Sequence, residues 1–324
     1  MGRSKEAALD DIRHDWTAEG VAALYHLPLT ELLYRAQSVH RRYHDPEVVQ
    51  RCTLLSIKTG GCPEDCAYCP QSAHYETGVA REELLDRQTV AARAREARQA
   101  GSTRFCMGAA WREVRDGEAF ERVLDMVKDV ADLGMEVCTT LGMLTSDQAR
   151  KLKDAGLTAY NHNLDTSAEF YSEIITTRTY EDRLETLAHV QEAGIQVCCG
   201  GIVGMGESAR DRCALLAQLG RLDPHPESLP VNLLVRIPGT PLADVPDLDP
   251  LELVRTIATA RLVAPRARVR LSAGRLSLSA ETQALCFLAG ANSLFSGERL
   301  LTAPNPKVDE DDRLMARLGL RFQS

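Results

Sequence analysis

Helix-like runs along the chain end repeatedly in glycine: "EARQAG" at Gly101, "VADLG" at Gly134, "LKDAG" at Gly156, "VQEAG" at Gly194, "LAQLG" at Gly220 and "CFLAG" at Gly290. Glycine just past a helix adopts the left-handed conformation that stops it. After nearly every stop comes a short strand-like run. The predicted strands are Cys52–Lys58, Thr103–Ala109, Glu136–Gly142, Thr158–Asp165, Gln196–Val203, Pro230–Arg236, Arg268–Ala273 and Asn292–Ser296. About eight strands alternating with helices predict an α/β fold, a parallel (β/α)8 TIM-type barrel. A helix over Leu29–Tyr43 precedes it. Residues 1–50 thus read as an N-terminal helical extension, 51–304 as the barrel and 305–324 as a C-terminal tail. The tail, with "DEDD" at Asp309–Asp312, reads as a partly ordered end. A doubly wound open sheet is the alternative. It would typically carry G-x-G-x-x-G after its first strand, where this chain has cysteines.

Strands alternate faces with period two. One face of the successive strands carries Arg104, Cys106 and Gly108; Glu136, Cys138 and Thr140; Asn161, Asn163 and Asp165; Gln196, Cys198 and Gly200; Asn232; and Arg268, Arg270 and Ser272. The other carries mostly apolar residues, among them Phe105, Met107, Val137, Tyr160, Leu164, Val197, Val269 and Leu271. The apolar face packs on helices, so the polar face lines the lumen. Barrel interiors are ordinarily filled with branched aliphatics. Burying thiols, asparagines, an aspartate, Arg268 and Arg270 is costly unless something is bound there. Three cysteines converging from three strands point to a metal site, with inert buried thiols as the plainer reading. Cys199 and His162 fall on the outward face, where His162 reads as a satisfied structural histidine.

The 324 residues, 44% of them hydrophobic, suffice for one large domain or two small ones. The net charge of −8 is spread along the chain and does not suggest a nucleic-acid surface. No apolar run approaches the roughly 18–20 residues of a membrane span. The opening "MGRSKEAALDDIRHDW" lacks the apolar centre of a signal peptide, so a cytoplasmic location is expected. In a reducing compartment ten cysteines suggest metal binding or catalysis rather than disulfides. Cys52, Cys213 and Cys286 read as small buried hydrophobes.

The densest chemistry lies in "GGCPEDCAYCPQS", Gly60 to Ser72. It spaces Cys62, Cys66 and Cys69 as C-x3-C-x2-C, with no local fourth ligand. Structural zinc wants four closed ligands. A [4Fe-4S] cluster usually takes four cysteines, so three would leave one iron open to a substrate or cofactor. Zinc, and a non-catalytic iron–sulfur sensor or carrier, remain as other readings.

This spacing, with Tyr68 before the last cysteine, resembles the signature of radical S-adenosylmethionine (SAM) enzymes. "CPEDCAYCPQS", "GSTRFCMGAAW", "YNHNLDTS", "IITTRTYEDRLETL", "GGIVGMGE", "VRLSAG" and "LLTAPNP" resemble, in order, the motifs of the biotin synthase family within that superfamily. The other radical SAM alternative is a barrel enzyme such as a hydrogenase-maturation protein. The family resemblance implies sulfur insertion into dethiobiotin to give biotin. It implies a [4Fe-4S] cluster on Cys62, Cys66 and Cys69, with SAM on its open iron. It implies a [2Fe-2S] cluster, the sulfur donor, on Cys106, Cys138, Cys198 and Arg270. Arginine is an odd ligand, because guanidinium has no lone pair to give; Arg275 is the rival position. By the same resemblance Asp165 holds the SAM ribose and Arg183 its carboxylate, with Tyr68 and Ile202 near the adenine and Asn163 also at the cofactor. Asn163 and Asn232 would hold the ureido ring of the substrate, and Thr302 its carboxylate. From the residues alone, Arg183 reads as a solvated helix charge. A flavodoxin-type electron donor, cluster-assembly proteins and a homodimer are implied as partners. The chain departs from the family pattern at Ala303, where a second threonine is usual, and at Cys199, where serine is.

Overall fold

The structure is a computed structural model that describes residues 12–324. Two helices, α1 (Ala18–Tyr25) and α2 (Leu29–Tyr43), come first. The barrel strands follow as β1 (Val48–Lys58), β2 (Arg104–Ala109), β3 (Glu136–Thr140), β4 (Ala159–Asn161), β5 (Gln196–Cys198) with its continuation β6 (Gly201–Val203), β7 (Ser228–Leu233), β8 (Arg268–Leu271) and β9 (Ser293–Phe295). All neighbours pair in parallel, and β1 pairs with both β2 and β9, so the sheet closes. The outer helices are α3 (Arg87–Gln99), α4 (Glu118–Asp132), α5 (Ser146–Asp154), α6 (Ala168–Tyr171), α7 (Tyr180–Glu192), α8 (Ala209–Arg221), α9 (Pro250–Val263) and α10 (Ala280–Leu288). The extension packs on this shell: α1 lies against α8 and α9, and α2 against α9 and α10. No helix among the described residues is long and apolar enough to cross a membrane.

Local chemistry sets the starts and stops. Thr145, Thr179 and Ser208 cap α5, α7 and α8, each in a reciprocal pair with the residue three positions on. Five of the six expected glycine stops have the left-handed backbone. Gly220 does not. It lies inside α8, and a Cβ there would come within 2.4 Å of Val263 and 2.6 Å of Trp16, so it is a close-packing glycine.

Two further expectations change. The fifth strand is interrupted at Cys199–Gly200. A Cβ on Gly200 would sit 1.9 Å from the carbonyl oxygen of Pro230, so β7 passes too close for any other residue. The tail is folded rather than partly ordered. After a hairpin, β10 (Arg299–Leu300) with β11 (Ala303–Pro304), it forms α11 (Val308–Leu318) and β12 (Arg321–Phe322), which pairs with Val48 and Val49 of β1. Its acidic run is partnered: Asp311 is fully buried against Arg275, and Asp312 meets Arg51.

Candidate active site

The cysteine loop is held by its own backbone and by the turn before α7. Cys62 N donates to Gln71 O at 2.9 Å, Ala73 N to Cys62 O at 2.7 Å, and Cys69 N to Cys66 O at 2.9 Å. Asp65 accepts from the backbone N–H groups of Thr176 (2.9 Å) and Thr177 (3.2 Å), and Ala67 N donates to Ile174 O. Burial opposes the charge on Asp65, yet these bonds hold its carboxyl down at about 2. The three thiols therefore occupy fixed positions at the C-terminal mouth of the barrel, where such folds place their chemistry. Burial pushes Cys66 up to about 11 and Cys69 up to about 12. Both stay protonated without a cation, so loading metal there releases protons.

A cavity of about 330 Å³ runs from this loop into the lumen. Its walls include all three loop cysteines, Cys106, Cys138, Cys198 and Arg270. Tyr68, Asn163, Asp165, Arg183, Ile202, Asn232 and Thr302 line it as well, so every predicted site residue meets in one space. Arg183 is buried rather than solvated. Its guanidinium donates to Asp165 Oδ2 at 2.5 Å, Asn163 O at 2.6 Å and Tyr171 Oη at 2.9 Å. Tyr68 Oη donates to the same Asp165 oxygen at 2.9 Å. Asp165 has φ +66°, a left-handed conformation that costs a non-glycine residue energy and often marks a functional position.

Deeper in, Cys106, Cys138 and Cys198 lie together in one buried group. The neighbouring Cys138 thiol, with Arg270 adding to it against the cost of burial, holds Cys198 down at about 5. Arg270 Nη1 lies 3.7 Å from Cys198 Sγ, its Nε donates to Ser293 Oγ at 3.0 Å, and its buried Nη2 has no partner among the described residues. Arg104 Nη1 is a second orphan donor. Unpartnered cationic donors beside buried thiols are what an anionic cluster of iron, sulfide and thiolate would satisfy. No three His, Cys, Asp or Glu side chains among the described residues gather closely enough for a single bare ion. An iron–sulfur cluster carries its own bridging sulfides and asks for a wider ring of ligands, so the donor set still fits one.

Over 309 residues the chain is 65% identical to the biotin synthase of Sorangium cellulosum, covering 95% of this chain and 88% of that protein. The chain belongs to the biotin synthase family. The biotin synthase of Methylococcus capsulatus is 63% identical over 322 residues, covering 99% and 98% of the two chains. Residues 56–219 match the radical SAM superfamily, and residues 230–321 match the biotin and thiamin synthesis associated domain. Two solved structures share the fold. Methylornithine synthase (PylB) has a TM-score of 0.78 at 19% identity, over 95% of this chain and 94% of its own. The [FeFe]-hydrogenase maturase HydG has a TM-score of 0.80 at 17% identity, over 95% and 72%. The protein is a radical SAM enzyme of the sulfur-inserting kind, with a [4Fe-4S] cluster, SAM and a [2Fe-2S] cluster as its cofactors.

Several side chains stand elsewhere than expected. Arg275 is off the cavity, bonded to Asp311, Gln283 and the Phe295 carbonyl. Arg268 shares the inward face but closes the barrel floor, paired with Glu136 and Glu227 beside Arg104. It begins its strand, which puts it at the N-terminal end of the lumen. His162 is not satisfied: its buried Nε2 has no partner and it borders the cavity. Burial keeps its ring neutral, well below the usual histidine range. Cys199, Cys213 and Cys286 lie in the main core, but Cys52 groups with the lumen cysteines. Arg178 Nη2 lies 3.8 Å from Cys66 Sγ, and nothing in the residue pattern singled it out. In the "GGIVGMGE" turn Glu207 takes the N–H groups of Gly204 and Met205 and pairs with Arg212.

Proposed function

We propose that the cavity converts dethiobiotin to biotin with the division of labour implied by the family motifs. The reading is carried by one observation: the loop thiols, the Asp165–Arg183 pair and the lumen thiols share one enclosed space. Cys62, Cys66 and Cys69 would hold the [4Fe-4S] cluster, and Cys106, Cys138, Cys198 and Arg270 the [2Fe-2S] cluster. When bound, the first supplies the electron that cleaves SAM to a 5′-deoxyadenosyl radical, and the second supplies the sulfur.

The side chains then act by holding. Arg183 has five N–H donors and uses three, leaving two for the SAM carboxylate. Asp165 uses Oδ2 for Tyr68 and Arg183, which leaves Oδ1 to accept from the ribose hydroxyls. Tyr68 and Ile202 flank the adenine. Asn163 Oδ1 already accepts from Asn161 and Gly200, so its amide N–H groups serve as donors to a ureido carbonyl. Asn232 Nδ2 donates to Gly201 O and its Oδ1 accepts from Ala273 N, which sets the amide plane and leaves one donor and one acceptor for the ring. Thr302, on the hairpin at the mouth, takes the substrate carboxylate. Burial keeps water from a carbon radical.

In the same reading the chain is a cytoplasmic homodimer, reduced by a flavodoxin-type protein and served by cluster-assembly proteins. Its units are residues 1–50, 51–304 and 305–324, with β1 starting at Val48. The test is anaerobic turnover of reconstituted protein with SAM and reductant, with and without dethiobiotin, followed by mass spectrometry. Biotin with substrate-dependent 5′-deoxyadenosine is expected. 5′-Deoxyadenosine without biotin, from protein holding both clusters, would overturn the substrate assignment.

A further inference from the structure

Cys52 was expected to be a core thiol. It lies instead with Cys106, Cys138, Cys198, Phe295 and Leu300 in a group separate from the main core. None of the four thiols exceeds 3% exposure. Cys52 pairs in register with Arg104, and Leu54 with Cys106, so Cys52 sits two residues nearer the barrel floor than the cavity wall. Its Sγ is 3.6 Å from Ser293 Oγ, the atom that accepts from Arg270 Nε at 3.0 Å. Cys52 and Arg270 thus flank the same hydroxyl. Among the described residues the buried Nη2 of Arg270 and Nη1 of Arg104 lack partners; Arg104 is in register with Cys52 and Arg270 shares its Ser293 hydroxyl, so both guanidiniums call for an anionic group near Cys52.

A [2Fe-2S] cluster ordinarily takes four cysteines. A protonated guanidinium offers only donors. We infer that Cys52 is a fourth thiolate ligand of the lumen iron–sulfur site, able to take the iron position otherwise given to Arg270. The inference rests on the reading of the lumen as a [2Fe-2S] site. In this arrangement Arg270 has two roles: ligand through a deprotonated, neutral guanidine while Cys52 keeps its proton and stands back, and protonated counter-charge when all four thiolates bind, the Cys52 proton then residing on the guanidine.

The test uses anaerobically reconstituted full-length protein, with iron and sulfide counts and Mössbauer spectra, and takes the rim [4Fe-4S] signal as the control for folding. Arg270→Ala should keep its lumen iron, and its two irons should become spectroscopically equivalent under all-thiolate ligation. Cys52→Ser alone should keep the cluster through Arg270. Arg270→Ala with Cys52→Ser should lose lumen iron at least tenfold while keeping the rim cluster. Two results would overturn the inference: a double variant that holds as much lumen iron as Arg270→Ala, or an Arg270→Ala protein that loses lumen iron while folded. Wild-type protein with rim iron and no lumen iron would remove the underlying reading, and with it this one; that case is recognised before any variant is made.

Discussion

The two thiol sets on this cavity are built in opposite ways. The rim set comes from eight consecutive positions, Cys62 to Cys69, and is held by bonds within its own loop and to one neighbouring turn. The lumen set draws one cysteine from each of three strands, with Cys52 of a fourth strand below them, and exists only when the barrel closes. Among the described residues the rim thiols have no fourth thiol beside them and border the Asp165–Arg183 ion pair, whereas the lumen thiols are enclosed and have arginine at hand. A local site can stay open and exchange its ligand. A site made by topology is closed and rigid, which suits a store of sulfur shielded from solvent.

The sharpest way to break that comparison is to remove one thiol from each set. Cys66→Ala should abolish 5′-deoxyadenosine formation, to below about a thousandth of wild type, as expected when the reacting group itself is lost. Its lumen iron should remain by Mössbauer spectroscopy. Cys138→Ala should do the reverse: 5′-deoxyadenosine still forms, while biotin and lumen iron are lost. If either substitution removed both clusters, the two sites would not be independent.

Gly200→Ala should injure the lumen more than the rim. Its Cβ would meet the Pro230 carbonyl, an overpacking that costs about 3 kcal/mol or more, read as a lower urea midpoint. Asp165→Asn should act only at the rim. It removes a charged partner of Arg183 and should weaken SAM binding by roughly 10- to 100-fold in anaerobic calorimetry, with both clusters intact.

The smallest effect lies outside both sites. Burial holds His40 down at about 3 and His44 at about 4, against 6.5 for a free histidine. As pH falls below 6.5 the unfolded chain takes up these protons first, so stability is full above that pH and drains away toward pH 4. With His40 buried and His44 half-buried, the loss is on the order of 1 kcal/mol each by pH 4.5. His40→Leu should flatten the slope of urea midpoint against pH and leave both clusters untouched.

The alternation of strands and glycine-stopped helices was legible because caps and stops are local. So were the inward cysteines, because period two needs only neighbours. What was not legible depended on distant partners. The break at Gly200 follows from the approach of Pro230. The folding of the tail follows from Asp311 meeting Arg275, 36 residues away, where an acidic run by itself reads as solvated. Arg183 looked exposed because a helix position alone does not reveal what its side chain reaches. Cys52 stood at the start of its predicted strand and was given no face.

The pairing of β12 with β1 sets an order of events during synthesis. Val48 and Val49 leave the ribosome long before their partners Arg321 and Phe322. The ring itself waits for Ser293–Phe295 to meet Gln50–Cys52. Such long-range closure is slow and comes late. The nascent chain therefore carries its lumen cysteines on an unsealed sheet until β9 is made, and β12 latches onto β1 only after that.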